Sequence, residues 1–143
     1  MTSGARTAAV TAGVTVWAVL WVGGAALAAA LWPDIIVPEQ RLEHNGALVG
    51  YILYSVLVSM VAGYLTARIA KGAPRAVHIL AAIQLAFGLV IELSAWNKTP
   101  AWYHMVFLML LVPALLFGGN LSKRRSAQRG QIEHKPGGMI AGR

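Results

Sequence analysis

Residues 88–106, GLVIELSAWNKTPAWYHMV, decide the fold. Both halves are apolar, and Asn97-Lys98-Thr99-Pro100 between them leaves room only to reverse the chain. Proline disfavours helix at the residue before it and sits well in a helix's first turn, so a new helix begins close behind Thr99. Two apolar helices joined by about four residues form an antiparallel hairpin. One residue breaks the apolar pattern: Glu92, a carboxylate in a segment that otherwise suits lipid. An acid in that setting is a functional-site hypothesis whose partner must be found.

The rest of the chain repeats the hairpin's composition. Of its 143 residues 57% are hydrophobic and 12% charged, with a mean hydropathy of +0.62; soluble domains carry about 25% charged residues. No charge occurs from Thr7 to Trp32, from Gly46 to Ala67 or from Ala101 to Ser122, and Ala76 to Trp96 holds Glu92 alone. Crossing a bilayer takes about 20 helical residues, and in lipid the backbone must be satisfied within the segment. The expectation is an all-α polytopic membrane protein, four transmembrane helices in an up-down bundle. The helices are expected at about 8–32, 46–67, 76–96 and 101–121, within a domain covering 1–125. Residues 126–143, polar and glycine-rich, read as a disordered basic tail. The first block is 26 residues long, well beyond the roughly 7–15 of a cleavable signal segment, despite its small-residue end.

Charge placement orients the bundle. The net charge is +7, but the basic residues sit at the ends of apolar blocks, which speaks for membrane topology and against a nucleic-acid partner. Arg6, the run Arg68, Lys71 and Arg75, and the exit Lys123, Arg124 and Arg125 are basic, whereas the first loop mixes Asp34, Glu39, Arg41 and Glu43. Basic loops stay in the cytoplasm. Both termini are therefore expected inside a bacterial cytoplasmic membrane, with anionic lipid headgroups as partners near Lys123, Arg124 and Arg125. Trp32, Trp96, Trp102 and Tyr103 fall at the predicted outer ends, as an interfacial belt does. Trp17 and Trp21 share a face near mid-helix and should pack against neighbours or lipid.

Small residues mark where membrane helices touch. On the second helix Tyr51, Ser55, Ser59, Gly63 and Ala67 recur every fourth residue, so Ser55, Ser59 and Gly63 form a candidate packing stripe. Leucine at Val58, off that stripe, should be milder than leucine at Ser59 or Gly63. Gly24 and Ala28 form a weaker pair on the first helix.

Within the hairpin, equal distance from the turn means equal depth. Glu92 and His104 come out level, with Glu92 about 6 Å inside Trp96 at 1.5 Å per residue. His104 is therefore the expected partner of Glu92. The same count brings Gln84 level with Pro113, which frees the carbonyl of Met109; Gln84 is expected to take it up. Glu92, His104 and Gln84 thus form a candidate polar intramembrane cluster, with a structural role ahead of a proton or cation site. His78 and His104 cannot be the two axial ligands of one haem within one chain, because they differ in depth by roughly 21 Å. No cysteine is present, which removes disulfides, thiolate metal sites and thiol catalysis. No phosphate-binding loop, zinc-protease helix, dinucleotide fingerprint or nucleophile elbow occurs, so no catalytic, cofactor or metal residue is assigned.

Three stretches carry a family resemblance: VAGYLTARIAKGAPR at 61–75, NKTPAWYHM at 97–105 and LVPALLFGGNLSKRR at 111–125. With them the chain resembles a group of small bacterial four-helix integral membrane proteins. The resemblance implies architecture and assigns no functional residue. Small multidrug transporters also have four short helices, but their acid lies in the first helix, which here has no charge. The expected function is a non-enzymatic structural or accessory membrane component, alone as a homo-oligomer or with a membrane protein partner. The alternative is a small proton- or cation-coupled transporter or channel using Glu92.

Overall fold

The computed structural model describes residues 3–37, 40–71 and 73–133. Among the described residues there are four helices: α1 Ser3–Leu31, α2 Asn45–Ile69, α3 Pro74–Ser94 and α4 Ala101–Glu133. All four are long and apolar enough to cross a membrane, α4 over its part Ala101–Ser126. The chain is a multi-pass membrane protein of four helices. One end of the bundle holds the α1–α2 loop and the α3–α4 turn, and we call it the loop end. The other, the terminal end, gathers the start of α1, the α2–α3 turn and the exit of α4, because Ala9 and Val10 pack there with Ala70 and Ala76.

Local chemistry sets the helix ends. His44 caps α2, its Nδ1 accepting from the Ala47 N–H at 3.2 Å. Lys71 adopts a left-handed φ of 49° just past α2, the conformation that commonly closes a helix. Pro74 is the first residue of α3, where its missing N–H costs nothing. At the hairpin, the Ser94 hydroxyl donates to the Val90 and Ile91 carbonyls, and the Lys98 N–H to Ala95 at 2.8 Å. The first loop reaches across to this turn, the Leu42 N–H donating to the Lys98 carbonyl at 2.9 Å.

α2 is the hub, packing against α1, α3 and α4, while the backbones of α1 and α4 do not approach. A core of Trp17, Val58, Ala62, Leu80, Ala81, Leu111 and Leu115 fills mid-bundle. Val58 is thus a core residue, because α2 is enclosed on more than one side, and it is no mild control for the stripe. The bundle's exterior is apolar: Val90 is 66% and Met109 72% exposed. Its interior holds Ser55, Ser59, Thr66, Gln84, Glu92, His104 and Ser122. This polarity suits lipid, where tails are as apolar as leucine and close fit holds helices together.

The tightest fit joins α2 to α4. A Cβ on Gly63 would overlap the Leu115 carbonyl oxygen and lie 2.9 Å from its carbon; one on Gly118 would overlap the Met60 carbonyl oxygen and lie 2.8 Å from its carbon. Ser55, Ser59, Gly63 and Ala67 are all buried, as the stripe requires. α4 answers with a matching series at the same spacing, Ala114, Gly118 and Ser122, also buried. α1 uses Gly24 to seat the ring of Tyr54, whose hydroxyl donates to the Leu20 carbonyl.

Two expectations need correcting. Tyr103 is not a belt residue: it is buried, packing with Leu48 and Ile52 of α2, while Trp32, Trp96 and Trp102 are exposed at the loop end. And α4 does not stop near residue 121. It continues to Glu133, so 126–133 is helix, since extending an anchored helix is far easier than nucleating one. The remainder of the expected tail, 134–143, lies outside the described residues.

Candidate functional site

The loop end of the α3–α4 hairpin carries the chemistry. Glu92, on the inward face of α3, is 5% exposed, and His104, one turn into α4, is wholly buried. Their side chains are directly hydrogen-bonded, Nδ1 of His104 to Oε2 of Glu92. The short turn is what brings them level, as the depth count expects. On the other side of the ring, Nε2 lies 2.9 Å from Thr99 Oγ1 and 3.3 Å from the Trp96 carbonyl oxygen. Trp96 lies flat on the imidazole, centroids 4.7 Å apart and planes within 13°, and Tyr103 meets it edge-on at 5.9 Å.

With Glu92 ionised, Nδ1–H donates to the carboxylate and the neutral ring's Nε2 accepts from the Thr99 hydroxyl. A protonated ring would instead donate from Nε2 to the Trp96 carbonyl or the Thr99 oxygen. Both states are satisfied in place. The unit ties α3, the turn and α4 through polar bonds that lipid cannot replace. The order carboxylate, imidazole, hydroxyl is also that of a nucleophile-activating relay. Such chemistry needs oxyanion donors and room for a substrate at the hydroxyl; the hollow described between α1 and α2 does not have Glu92, Thr99 or His104 in its walls. Thr99 was not anticipated from the sequence.

Gln84 does not join the pair. It lies two turns from Glu92, about 12 Å along α3, and Phe107 and Leu111 side chains close over Gly88 between them, Leu111 Cδ2 within 3.2 Å of a Cβ there. Nor does it take up the Met109 carbonyl: neither its amide oxygen nor its nitrogen has a hydrogen-bond partner. Depth alone does not aim a side chain, and Gln84 points into the bundle while Met109 faces outward. The Ser59 hydroxyl and the Trp17 indole N–H are unpartnered as well, each buried too tightly for water to lie against it. His78, the other membrane histidine, is exposed and bonds the Pro74 carbonyl at 2.8 Å. Among the described residues no group of three or more His, Asp or Glu is placed to hold a metal ion.

Desolvating an unpaired amide costs about 1–3 kcal/mol, and an apolar side chain of similar shape removes that cost. Gln84→Leu should therefore raise the melting temperature in detergent. A fall would mean that the amide is partnered.

The Trp pair of α1 behaves as expected, stacked at 6.4 Å, with Trp21 extending the contact to Tyr51, Tyr54 and Phe107. No protein-family model, curated protein or solved structure matches the chain. What it does must be inferred from its own residues.

Proposed function

We propose that the chain is a non-enzymatic structural or accessory component of the bacterial cytoplasmic membrane, with both termini inside, that docks a partner's transmembrane helix against α1 and α2. One observation carries this: the glycines sort into two kinds. Gly13, Gly24, Gly63 and Gly118 are each filled by the bundle itself, whereas Gly23 and Gly50 have nothing within 4 Å of where a Cβ would stand. A glycine inside a helix costs roughly 0.5–1 kcal/mol relative to alanine, so placing one where the bundle gains nothing suits close approach by another helix. Gly50 stands four residues after Gly46, the small-xxx-small spacing of such contacts. Both line an apolar hollow of about 560 Å³, with Leu27 and Ala28 of α1.

The orientation is supported by charge. Arg6, Arg68, Lys71, Arg75 and Lys123 to Arg125 belong to the terminal end, whereas the loop end has only Arg41 and Lys98 among its described basic residues, beside Asp34 and Glu43, the bias that basic-inside topology favours. A proton- or cation-coupled path through Glu92 is the competing function. Against it stand the burial of Glu92 and its bond to His104, and the lack of room for water beside Gln84.

A photo-crosslinking residue at Leu27, which lines the hollow, tests the docking. It should give a discrete protein adduct in native membranes, a second copy or another membrane protein, and adding Gly50→Leu should abolish it. The same residue at Phe87, outside the hollow, should capture lipid only. Identical lipid-only patterns at the two positions would rule out docking. For orientation, Gln40→Cys should label from outside and Lys123→Cys only after the cells are opened; the reverse would invert the topology.

A further inference from the structure

The terminal end carries a second feature, independent of the hollow. Arg125 of α4 lies over the ring of Tyr64 of α2, its Cζ 5.9 Å from the centroid. Arg68 follows Tyr64 by one turn on the same face of α2, and Lys71 projects from the turn just beyond. All three basic residues are exposed. Among the described residues neither Arg68, Lys71 nor Arg125 makes an ion pair; the ion pairs described are Arg41 with Glu43 and Glu92 with His104, both at the loop end. No acidic side chain is described at the terminal end. Three exposed cations lie at one rim of the bundle, and among the described residues none supplies a counter-charge.

Position decides what neutralises them. The rim lies where α2 and α4 leave their apolar segments, since the uncharged run of α2 ends at Ala67 and that of α4 at Ser122. At that level a lipid phosphate is available to a basic rim. The cation–π contact gives the site form as well as charge: it holds the Arg125 guanidinium against α2, where an unsupported arginine would sample many rotamers. A planar guanidinium fixed in this way can meet phosphate oxygens with two parallel N–H donors.

We infer that Arg125, held by Tyr64, forms with Arg68 and Lys71 a headgroup site for an anionic phospholipid between α2 and α4. The inference rests on the bundle's placement in a membrane and not on a docked helix, so it stands or falls separately from the docking role.

The purified protein in mixed micelles of phosphatidylglycerol and phosphatidylcholine provides the test, read by native mass spectrometry. The wild type should retain phosphatidylglycerol several-fold over phosphatidylcholine. Arg68→Gln with Arg125→Gln should remove that preference while the melting temperature in detergent stays within a few degrees. Tyr64→Leu is the deciding variant, because it leaves the net charge unchanged. It should lower retention several-fold, since Arg125 loses its support. Arg6→Gln, a charge removed elsewhere at the same end, should change little. If Tyr64→Leu retains lipid like the wild type, or Arg6→Gln loses as much as the arginine pair, the attraction is diffuse charge and there is no built site. Equal retention of the two lipids by the wild type would overturn the proposal outright.

Discussion

Alanine at Gly118 should destabilise the bundle by about 2–3 kcal/mol, the range for forcing extra atoms into a close-packed contact. The new Cβ would overlap the Met60 carbonyl oxygen and stand 2.8 Å from its carbon and Cα. These are backbone atoms, which cannot rotate aside, so α2 and α4 must separate along the contact. Gly63→Ala attacks the same interface from the other helix, with the Leu115 backbone as the obstacle, and leucine at either position should prevent assembly. Helix propensity works the other way, favouring alanine over glycine by up to about 1 kcal/mol. That term decides the sign at Gly23, where a Cβ meets nothing within 4 Å, so Gly23→Ala should be neutral or slightly stabilising. The same substitution therefore moves the melting temperature in opposite directions at the two positions. Like-signed shifts of similar size would mean that α2 and α4 do not approach as closely as described.

That interface also shows how much could be read in advance. The stripe on α2 stands out in the sequence because its small residues are spaced by four among bulky neighbours, and each of Ser55, Ser59 and Gly63 is buried. Its counterpart, Ala114, Gly118 and Ser122, obeys the same rule but is masked by the adjacent leucines and Phe117. Depth along a helix follows from counting residues, which is why Glu92 and His104 meet. Direction around the helix does not, and the proposed bond from Gln84 to Met109 failed for that reason. Thr99 escaped notice because the aim of a turn residue depends on the turn's dihedral angles, here set beside Pro100, and not on a period. Tyr103 was placed by type, since aromatics near a helix end suit the interface, yet packing on Leu48 and Ile52 took it inward. The length of α4 was misjudged from composition: SKRRSAQRG reads as a polar tail, but it follows a helix already anchored by α2 and α3.

Removing the carboxylate of Glu92 should cost nearly as much as a clash in the core. Glu92→Leu leaves the Nδ1 of His104 buried opposite an apolar group, in a ring with no exposed surface. Stranding a buried polar group costs about 1–3 kcal/mol, and breaking a buried ion pair costs 3–5. The pair sits near the loop end, where water is close, so about 2–3 kcal/mol is the expected loss. Glu92→Gln keeps an acceptor for Nδ1–H and should lose about 1 kcal/mol, the usual worth of one hydrogen bond. Replacing both partners, Glu92→Leu with His104→Phe, removes the stranded donor and keeps a ring against Trp96. That double variant should be more stable than Glu92→Leu alone, a coupling that a double-mutant cycle reads directly. Stability and transport then separate cleanly. If the pair is a latch, Glu92→Gln should melt slightly early, and neither it nor the wild type should pass protons or cations into proteoliposomes above the protein-free rate. A wild-type flux that vanishes in a folded Glu92→Gln protein would make Glu92 a transport site and remove the ground for an accessory role.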